Sequence, residues 1–318
     1  MKNETEAPTL ARILNFGSLN LDQVYRVDAF VQPGETKSSL SLATHCGGKG
    51  LNQSIAASRA GAEVWHAGKI GTDGDMLEKK LRENGVDSSL LEHSRGVSGH
   101  AIIQVDNSGQ NCILLYGGTN QELTEDSIDR ALDAFGNDGL VLVQNETNLV
   151  GSIIQKAHAR GLLVAINAAP MDEKVFGYPL ELVDWLIVNE IEGASIAKCE
   201  FEVDILPKLN TLYPNMNVLL TLGKRGAVCA RGAEQARSGI YSTKVVDTTA
   251  AGDTFLGYFL TEALDQKSLS DALALATAAS SICVGVMGAA DSVPRRAEVL
   301  SALERGTLGR CGEWGGWR

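Results

Sequence analysis

The sequence predicts an α/β protein in which helices cover both faces of a mainly parallel central sheet, giving three layers. Two observations carry this prediction. Short apolar runs alternate with amphipathic stretches along most of the 318 residues, which is typical of strand–helix–strand units. The cores of the strand runs are apolar, as expected when a parallel sheet is covered on both faces. We therefore expect a single domain over residues 10–306.

The individual elements follow from length and periodicity. The predicted strands are residues 12–18, 63–71, 140–146, 162–167, 185–190, 218–223 and 227–232. The predicted helices are residues 52–62, 76–85, 124–136 and 150–161, with a further buried helix after Asp253. Ligands of such sheets bind beyond the carboxyl ends of the strands, so the polar residues at those ends are candidates for a site.

Two segments differ from this pattern. Residues 22–46 and 97–117 alternate apolar and polar side chains around turn signals such as "DNSG", which indicates antiparallel strands outside the main sheet. We expect them to form a small β lid. The glycine-rich segment 307–318 has no periodicity, and we expect a disordered tail or a local plug there.

Composition excludes several classes of function. The net charge of −11 argues against a general nucleic-acid or anionic membrane surface. No apolar stretch reaches about 18 residues, the length needed to span a membrane, and the N-terminus lacks the apolar region of a secretory signal. The six cysteines show neither CxxC pairs nor zinc spacing, which favours reduced thiols. We expect a cytoplasmic protein.

The stretch "TTAAGDTFLGYFL", residues 248–260, places Asp253 where a loop of small residues enters an apolar helix. Asp is common at helix starts because it accepts an unpaired backbone N–H and suits the helix dipole. Alternatively, Ala250, Ala251 and Gly252 let a ligand approach the backbone, whose N–H groups would hold an anion beside Asp253. The stretch alone leaves both interpretations open.

The stretch "CGGKGLNQSIAASRAGA", residues 46–62, is a glycine-rich turn that runs directly into a helix. Lys49 and Asn52 at the helix start could donate to a polar ligand. A tight strand-to-helix connection explains the same residues. Neither a Walker A loop nor a GxGxxG turn after the first strand is present, so P-loop and dinucleotide-binding classes are disfavoured.

Polar residues at other strand ends have similar pairs of interpretations. Asn20 and Asp22 in "GSLNLD" share one face of an extended segment and suit a polyhydroxylated ligand, although an Asx turn is also possible. Asn189 and Glu192 in "VNEIEGASI" suit water-mediated contact to a phosphate-bound Mg²⁺, or else a helix capping box. "TLGKRGAVCARG", residues 221–232, is a hairpin over which a nucleotide could lie.

Together these stretches resemble the ribokinase (PfkB-type) carbohydrate kinase family. The blocks "GSLNLD", "PGE", "GGKGLNQ", "TLGKRG", "VDTTAAGDTF" and "GAADSVP" occur in family order and cover about residues 12–304. The resemblance implies a ribokinase-like fold and an ATP-dependent sugar kinase. The GGKG-x-N-Q block is most similar to that of ribokinases, which makes ribose the first candidate substrate.

The resemblance also implies roles for individual residues. It implies a catalytic base at Asp253 and an anion hole formed by Ala250, Ala251 and Gly252. It implies sugar contacts at Asn20, Asp22, Gly48, Lys49, Asn52, Glu146 and Asp253. It implies ATP contacts at Asn189, Thr221, Gly223, Gly226 and Gly252, with Thr277 near the adenine and Asn189 and Glu192 tied to Mg²⁺ and phosphate. It implies a K⁺ site formed by Asp247, Thr249, Cys283, Val286, Gly288 and Ser292.

Several departures from the family pattern leave alternatives open. "VNE" replaces Pro-Asn-Glu, "INAAP" replaces Asn-Pro-Ala-Pro, and "QNE" replaces Gln-Leu-Glu. The last two lie near the expected sugar or the sheet edge, so fructose, deoxyribose, a sugar acid or a nucleoside remain rivals of ribose. A sugar- or nucleotide-binding relative without turnover is a further alternative, against which the retained Asp253 argues. By the same resemblance, we expect the lid to clasp a second subunit in a homodimer.

Overall fold

The computed structural model describes residues 10–309 and 311–317. Its body is a nine-stranded sheet with helices on both faces, and a separate four-stranded sheet lies beside it. The predicted three-layer α/β architecture with a small accessory sheet is confirmed. Within the described residues, we find no helix with the length and apolarity that a membrane crossing needs.

The elements are numbered in chain order. The main sheet contains β1 (Arg12–Phe16), β4 (Glu63–Ile70), β5 (Leu91–His93), β8 (Leu140–Gln144), β9 (Leu163–Asn167), β10 (Trp185–Asn189), β11 (Asn217–Thr221), β12 (Ala227–Arg231) and β13 (Glu234–Ser238). The accessory sheet contains β2 (Asn20–Arg26), β3 (Ser41–Gly47), β6 (Gly99–Val105) and β7 (Asn111–Tyr116). The helices are α1 (Lys49–Ala60), α2 (Asp75–Glu83), α3 (Glu125–Phe135), α4 (Val150–Ala159), α5 (Glu190–Ala197), α6 (Ile205–Leu212), α7 (Ala251–Leu264), α8 (Leu269–Cys283) and α9 (Arg296–Glu304).

The main sheet has the strand order β13-β12-β11-β10-β9-β8-β1-β4-β5. All neighbours from β11 to β5 are parallel, whereas β12 and β13 are antiparallel additions at one edge. The carboxyl ends of β1, β8, β9, β10 and β11 therefore meet at the same end of the sheet. This is where polar residues can gather into a site.

Two hydrophobic cores lie on opposite faces of this sheet. Successive residues of a strand point to opposite faces, so Ile13 packs with α1, α7 and α8. Its neighbour Leu14 packs with α3 and α4 on the other face. Both side chains are fully buried. This explains why the strands are mainly apolar and identifies α1 and α7 as neighbours on one face.

The accessory sheet has the order β3-β2-β6-β7. The pairs β2–β3 and β6–β7 are antiparallel as expected, but the central pair β2–β6 is parallel. The expectation of a wholly antiparallel lid was therefore wrong, because β2 and β6 follow separate strands of the main sheet instead of one hairpin. Leu42, Leu114 and Tyr116 of this sheet are more than half exposed.

The C-terminal segment contacts the main domain where it is described. The Gly312 N–H donates to Ile240 O at 2.8 Å, and the Gly315 N–H donates to Arg225 O at 3.1 Å. The guanidinium of Arg237 lies 4.6 Å from the ring centre of Trp314. These contacts differ from the expectation of a disordered tail and match a local plug, which the lack of sequence periodicity could not distinguish.

Candidate active site

Asp253 is a buried carboxylate in the first turn of α7, at the carboxyl end of the sheet. Ala250 precedes the helix in the left-handed conformation (φ 59°) and makes no side-chain cap. The Asp253 carboxylate faces α1. Its Oδ1 accepts a hydrogen bond from Gln53 Nε2 at 2.8 Å, and its Oδ2 accepts one from Asn52 Nδ2 at 3.1 Å.

Two glycines allow this meeting of helices. Gly257 lies one turn after Asp253, and a Cβ there would come within 2.5 Å of the Ala56 Cβ in α1. Gly50 lies in the first turn of α1, and a Cβ there would come within 2.3 Å of the Ser18 backbone nitrogen. Glycine therefore lets α1 contact both α7 and the chain after β1, which brings Asn52 to Asp253.

A cluster of charged side chains surrounds this point. Glu146 Oε2 accepts hydrogen bonds from Ser18 Oγ and from the Lys49 backbone N–H, the latter at 3.2 Å. Burial raises the pKa of Glu146 despite the nearby Lys49 ammonium. Burial opposes the charge of Lys49 as well, but the carboxylates of Asp253, Glu146 and Glu192 together raise the pKa of Lys49. The Lys49 ammonium thus interacts with several carboxylates at once, and it does not fully neutralise the charge of any one of them.

Asp22 is the most perturbed acid of this cluster. Burial, with a further contribution from the negative charge of Glu146, raises the pKa of Asp22 to about 7. Its carboxylate fits against Gly47, where a Cβ would lie 1.9 Å from Asp22 Oδ2. A partly buried acid whose pKa lies near neutrality is typical of a functional site.

Asn20 is held by a residue that the sequence did not single out. Its Oδ1 accepts from Asn120 Nδ2 at 2.8 Å, and Asn120 Oδ1 accepts from the Leu19 N–H at 2.9 Å. Gly99 lies opposite Asn20 in the accessory sheet, and a Cβ there would come within 2.3 Å of Asn20 Oδ1. The predicted sugar contacts Asn20, Asp22, Lys49, Asn52 and Glu146 thus lie between the accessory sheet and the sheet end. Gly48 joins β3 to α1, packed on Ser18 O in a positive-φ conformation.

A cavity of about 450 Å³ lies on the other side of the α7 start. Its lining combines glycines, hydroxyl side chains, apolar side chains such as Phe255 and Val284, and Lys224. It includes the predicted nucleotide contacts Thr221, Gly223, Gly226, Thr277 and Gly252, together with Ala251. A Cβ at Gly252 would meet no described atom within 4 Å. Gly252 therefore borders open space that a ligand could occupy, and the next residue along the chain is Asp253.

Asn189 and Glu192 are not among the described lining residues of this cavity. They form a capping box at the start of α5: Asn189 Oδ1 accepts from the Glu192 N–H, and Glu192 Oε2 accepts from the Asn189 N–H, both at 2.9 Å. This is the alternative interpretation of the motif. Asn189 pairs with Thr221 on the neighbouring strand, and burial raises the pKa of Glu192. The box thus lies beside the cavity without lining it.

The residues of the expected K⁺ site also lie together. Asp247 Oδ1 accepts from the Thr249 N–H at 2.9 Å, and Asp247 Oδ2 accepts from the Gly288 N–H at 3.0 Å. Cys283 Sγ lies 3.8 Å from Thr249 O and 3.1 Å from Ser292 Oγ. Val286 follows on the same turn, where its N–H donates to Cys283 O. Asp247 therefore ties the loop before α7 to the turn after α8.

Sequence reasoning missed several buried polar residues here, among them Ser18, Gln53, Asn120 and Gln144. Gln53 stands in the "GGKGLNQ" block next to Asn52, and this adjacency was an available signal. Ser18 stands in "GSLNLD" and Gln144 in "QNE", so each lay within a block that the sequence had singled out. The contacts between these residues and Asn120 join distant parts of the chain and follow only from the fold.

Comparisons with known proteins agree with the family resemblance of the sequence. Residues 10–296 match the model of the pfkB family carbohydrate kinases. The chain is 34% identical over 309 residues to a bifunctional ribokinase/ribose-5-phosphate isomerase A of Fructilactobacillus sanfranciscensis, covering 93% of this chain but only 57% of that protein. It is 33% identical over 297 residues to a ribokinase of Haemophilus influenzae, covering 91% of this chain and 97% of that one. The solved structure of Arabidopsis thaliana ribokinase with ribose and ATP superposes with a TM-score of 0.81 at 26% identity, covering 93% and 99% of the two chains.

Proposed function

The chain belongs to the pfkB family of carbohydrate kinases, and we propose that it transfers the γ-phosphoryl group of ATP to the primary hydroxyl of ribose, forming ribose 5-phosphate. The observation that carries this proposal is the position of the α7 start. Gly252 borders the cavity, whose lining is mainly uncharged apart from Lys224, and Asp253 bonds to Asn52 in the polar cluster. One helix turn thus joins a space suited to a nucleotide and a pocket suited to a polyol.

The chemistry follows from this arrangement. Asp253 removes the proton of the primary hydroxyl, and the hydroxyl oxygen attacks the γ-phosphorus while ADP leaves. The first N–H groups of a helix lack intrahelical acceptors; Ala251 donates its own to Thr248 O at 3.3 Å, so Gly252 and Asp253 supply the principal donors. These N–H groups and the helix dipole stabilise the negative charge that develops on the phosphoryl group.

Unpaired polar atoms support a sugar as the second substrate. Asn52 Oδ1 is buried and has no hydrogen-bond partner among the described residues. A sugar hydroxyl would provide one, since a buried acceptor without a partner costs about 1–3 kcal/mol. Asp22 and Glu146 can accept from further hydroxyls, and Lys49 can donate to one. The relatives named as ribokinases favour ribose over the other polyols.

Asn189 and Glu192 fit an indirect role in Mg²⁺ binding. Mg²⁺ is held in kinases by substrate phosphates, by water and by few protein oxygens. The described residues contain no cluster of three acidic, histidine or cysteine side chains suited to a metal. The Glu192 carboxylate, beside the strand pair that leads to Thr221, could contact the ion through water. When bound, the ion neutralises phosphate charge.

The loop that precedes α7 fits a monovalent cation such as K⁺. Asp247, Thr249, Cys283, Val286, Gly288 and Ser292 can offer a carboxylate, backbone carbonyls and a hydroxyl, and oxygen ligands suit a hard cation. The ion would order the loop and offset the Asp247 charge without contacting substrate. We expect a higher kcat in K⁺ than in Na⁺ or a bulky organic cation at constant ionic strength. Equal kcat values with the three cations would show that no activating cation site exists there.

The accessory sheet supports a homodimer. Leu42, Leu114, Leu115 and Tyr116 are about half exposed or more, and exposed apolar strands of this kind invite pairing with another chain. We expect sedimentation velocity to show a dimer at micromolar concentration and Leu114→Lys to shift it toward monomer. A monomeric parent protein would show that the accessory sheet does not form a dimer interface.

The cytoplasmic location expected from the sequence stays a prediction.

The proposed activity is tested by ADP release with Mg-ATP and a panel of ribose, deoxyribose, fructose, a sugar acid and a nucleoside. We expect the highest kcat/KM with ribose. A higher value with another polyol would retain the kinase and reject ribose as its substrate. ADP release that does not depend on any added acceptor would reject the sugar kinase.

A further inference from the structure

We infer that Gln53 is a positioning residue that holds the Asp253 carboxylate in its reactive orientation, and that a chain of buried amides ending on backbone carbonyls fixes its direction. This inference rests on the proposed kinase activity. Gln53 is fully buried, and it donates to Asp253 Oδ1 from the side opposite Asn52. With one amide on each oxygen, the carboxylate cannot rotate freely about its Cβ–Cγ bond.

A glutamine can orient a carboxylate only if its own amide cannot flip. If the Gln53 side chain were reversed, its Oε1 would face Asp253 Oδ1, and two acceptors would meet in a buried site. The orientation of such amides follows from the network around them. Here the network contains backbone carbonyls, which can only accept hydrogen bonds and therefore fix the direction of every bond that leads from them.

The first line of this network runs through β1 and β8. Asn15 Nδ2 donates to Gly50 O at 2.9 Å, so Asn15 Oδ1 faces the other way and accepts from Gln144 Nε2 at 2.9 Å. Gln144 Nε2 also donates to Gln53 Oε1 at 2.8 Å. The Gln53 NH₂ group must then face Asp253.

The second line runs through β9 and is independent of the first. Asn167 Nδ2 donates to Ile187 O at 3.2 Å, which turns Asn167 Oδ1 toward Gln53 Nε2 at 3.1 Å. Both lines require the same orientation of the Gln53 amide. Asn15, Gln53 and Gln144 are all completely buried, so water does not compete for these bonds.

A third branch agrees with this direction. Burial lowers the pKa of His66 to about 4, so the ring is neutral, and its Nε2 lies 3.2 Å from Gly17 O. Nε2 must therefore carry the proton, and Nδ1 accepts from Ser54 Oγ at 2.8 Å. Ser54 in turn accepts from Asn15 Nδ2 at 2.8 Å. This branch stabilises Asn15 but is not needed to orient it, because Gly50 O already does so.

The effect of Gln53 on kcat can be separated from effects on substrate binding. Gln53 acts through Asp253, so its loss should lower kcat and leave the KM values for ribose and ATP nearly unchanged. Gln53→Met keeps the length of the side chain and removes its donor. We expect kcat to fall about 10- to 100-fold, since small misplacements of a reacting group cost this much. Gln144→Met, which touches neither Asp253 nor Asn52, should give a smaller loss of the same kind.

The deciding experiment is a double-mutant cycle on kcat with Asp253→Asn. If Gln53 acts through the Asp253 carboxylate, Gln53→Met should cost no more than about 2-fold once that carboxylate is gone. The same fold loss in both backgrounds would show a general structural role and overturn the inference. So would a kcat for Gln53→Met within about 2-fold of the parent.

Ser54→Ala is the matched control. It removes a buried polar group from the third branch and should lower Tm while leaving kcat close to that of the parent. Tm and circular dichroism show whether each variant folds. If Gln53→Met does not fold, Gln144→Met replaces it in the double-mutant cycle with Asp253→Asn. Failure of the proposed function would look different, because the parent itself would then release no acceptor-dependent ADP.

Discussion

The two sides of the α7 start are built from different chemistry. On the side of the accessory sheet, the charged side chains of Asp22, Glu146, Lys49 and Asp253 form a partly buried cluster, in which Glu146 accepts from the Lys49 backbone N–H and Asp253 accepts from Asn52. On the other side, glycines, hydroxyl side chains and apolar side chains such as Phe255 line the cavity, and Lys224 is the one charged residue among the described lining residues. The first side thus offers charged and amide groups to a ligand, whereas the second offers mainly uncharged surface. Substitutions should remove interactions on the first side and add bulk on the second.

The largest effect is expected at the junction of the two sides. Asp253→Asn keeps the size of the side chain but removes the base, so kcat should fall at least ~10²-fold. Ribose and ATP should still bind because the Asn side chain keeps the size of Asp, although its NH₂ group would meet one of the two amide donors of α1 and should lower Tm. Steady-state kinetics and calorimetric titration measure both quantities. A variant that kept half of the parent kcat would show that the base has been assigned wrongly.

Asp22→Asn tests the charged side. The amide accepts hydrogen bonds from sugar hydroxyls less strongly than a carboxylate, so we expect the ribose KM to rise roughly 5- to 100-fold, about 1–3 kcal/mol, with little change for ATP. Equal shifts of both KM values would place Asp22 outside the sugar pocket.

The same variant has a second signature in the unliganded protein. The pKa of Asp22 is about 7 in the folded protein against 3.8 as its ordinary value. The folded state therefore binds the proton more tightly, and the free energy of unfolding falls as pH rises from about 4 to 7. Asp22→Asn cannot lose that stability. Its Tm should exceed that of the parent at pH 8, and the difference should shrink toward pH 5; a constant difference would contradict the assigned shift.

The smallest effect is expected on the glycine-lined side. Gly252→Ala adds a methyl group that meets no described atom, so folding should be unaffected, while kcat falls about 10-fold because the phosphate is displaced. Gly257→Ala is the matched control in the same helix. Its Cβ would come within 2.6 Å of the Ala57 nitrogen, so it should lower Tm. A Tm loss at Gly252 as large as that at Gly257 would contradict the contrast.

Sequence reasoning succeeded where the signal was local. The apolar runs predicted the strands because burial on both faces of a parallel sheet leaves few polar positions, among them Asn15 in β1 and Gln144 in β8. The small residues before Asp253 left two interpretations open, a helix cap and an anion site, and the assignment of a site there stays a prediction. The parallel β2–β6 pairing, the Asn20–Asn120 contact and the Gln144–Gln53 contact join residues far apart in the chain. No local pattern encodes them, and they follow only from the tertiary fold.

The central claim is that Asp253 directs the γ-phosphoryl group to the primary hydroxyl of ribose. Phosphorus NMR of the product formed from Mg-ATP and ribose tests it most directly, because the coupling of phosphorus to sugar protons identifies the phosphorylated position. We predict a single product carrying phosphate on the O5 atom of ribose, with none formed by Asp253→Asn on the same timescale. A product phosphorylated at O1, or inorganic phosphate released without a sugar phosphate, would contradict the account.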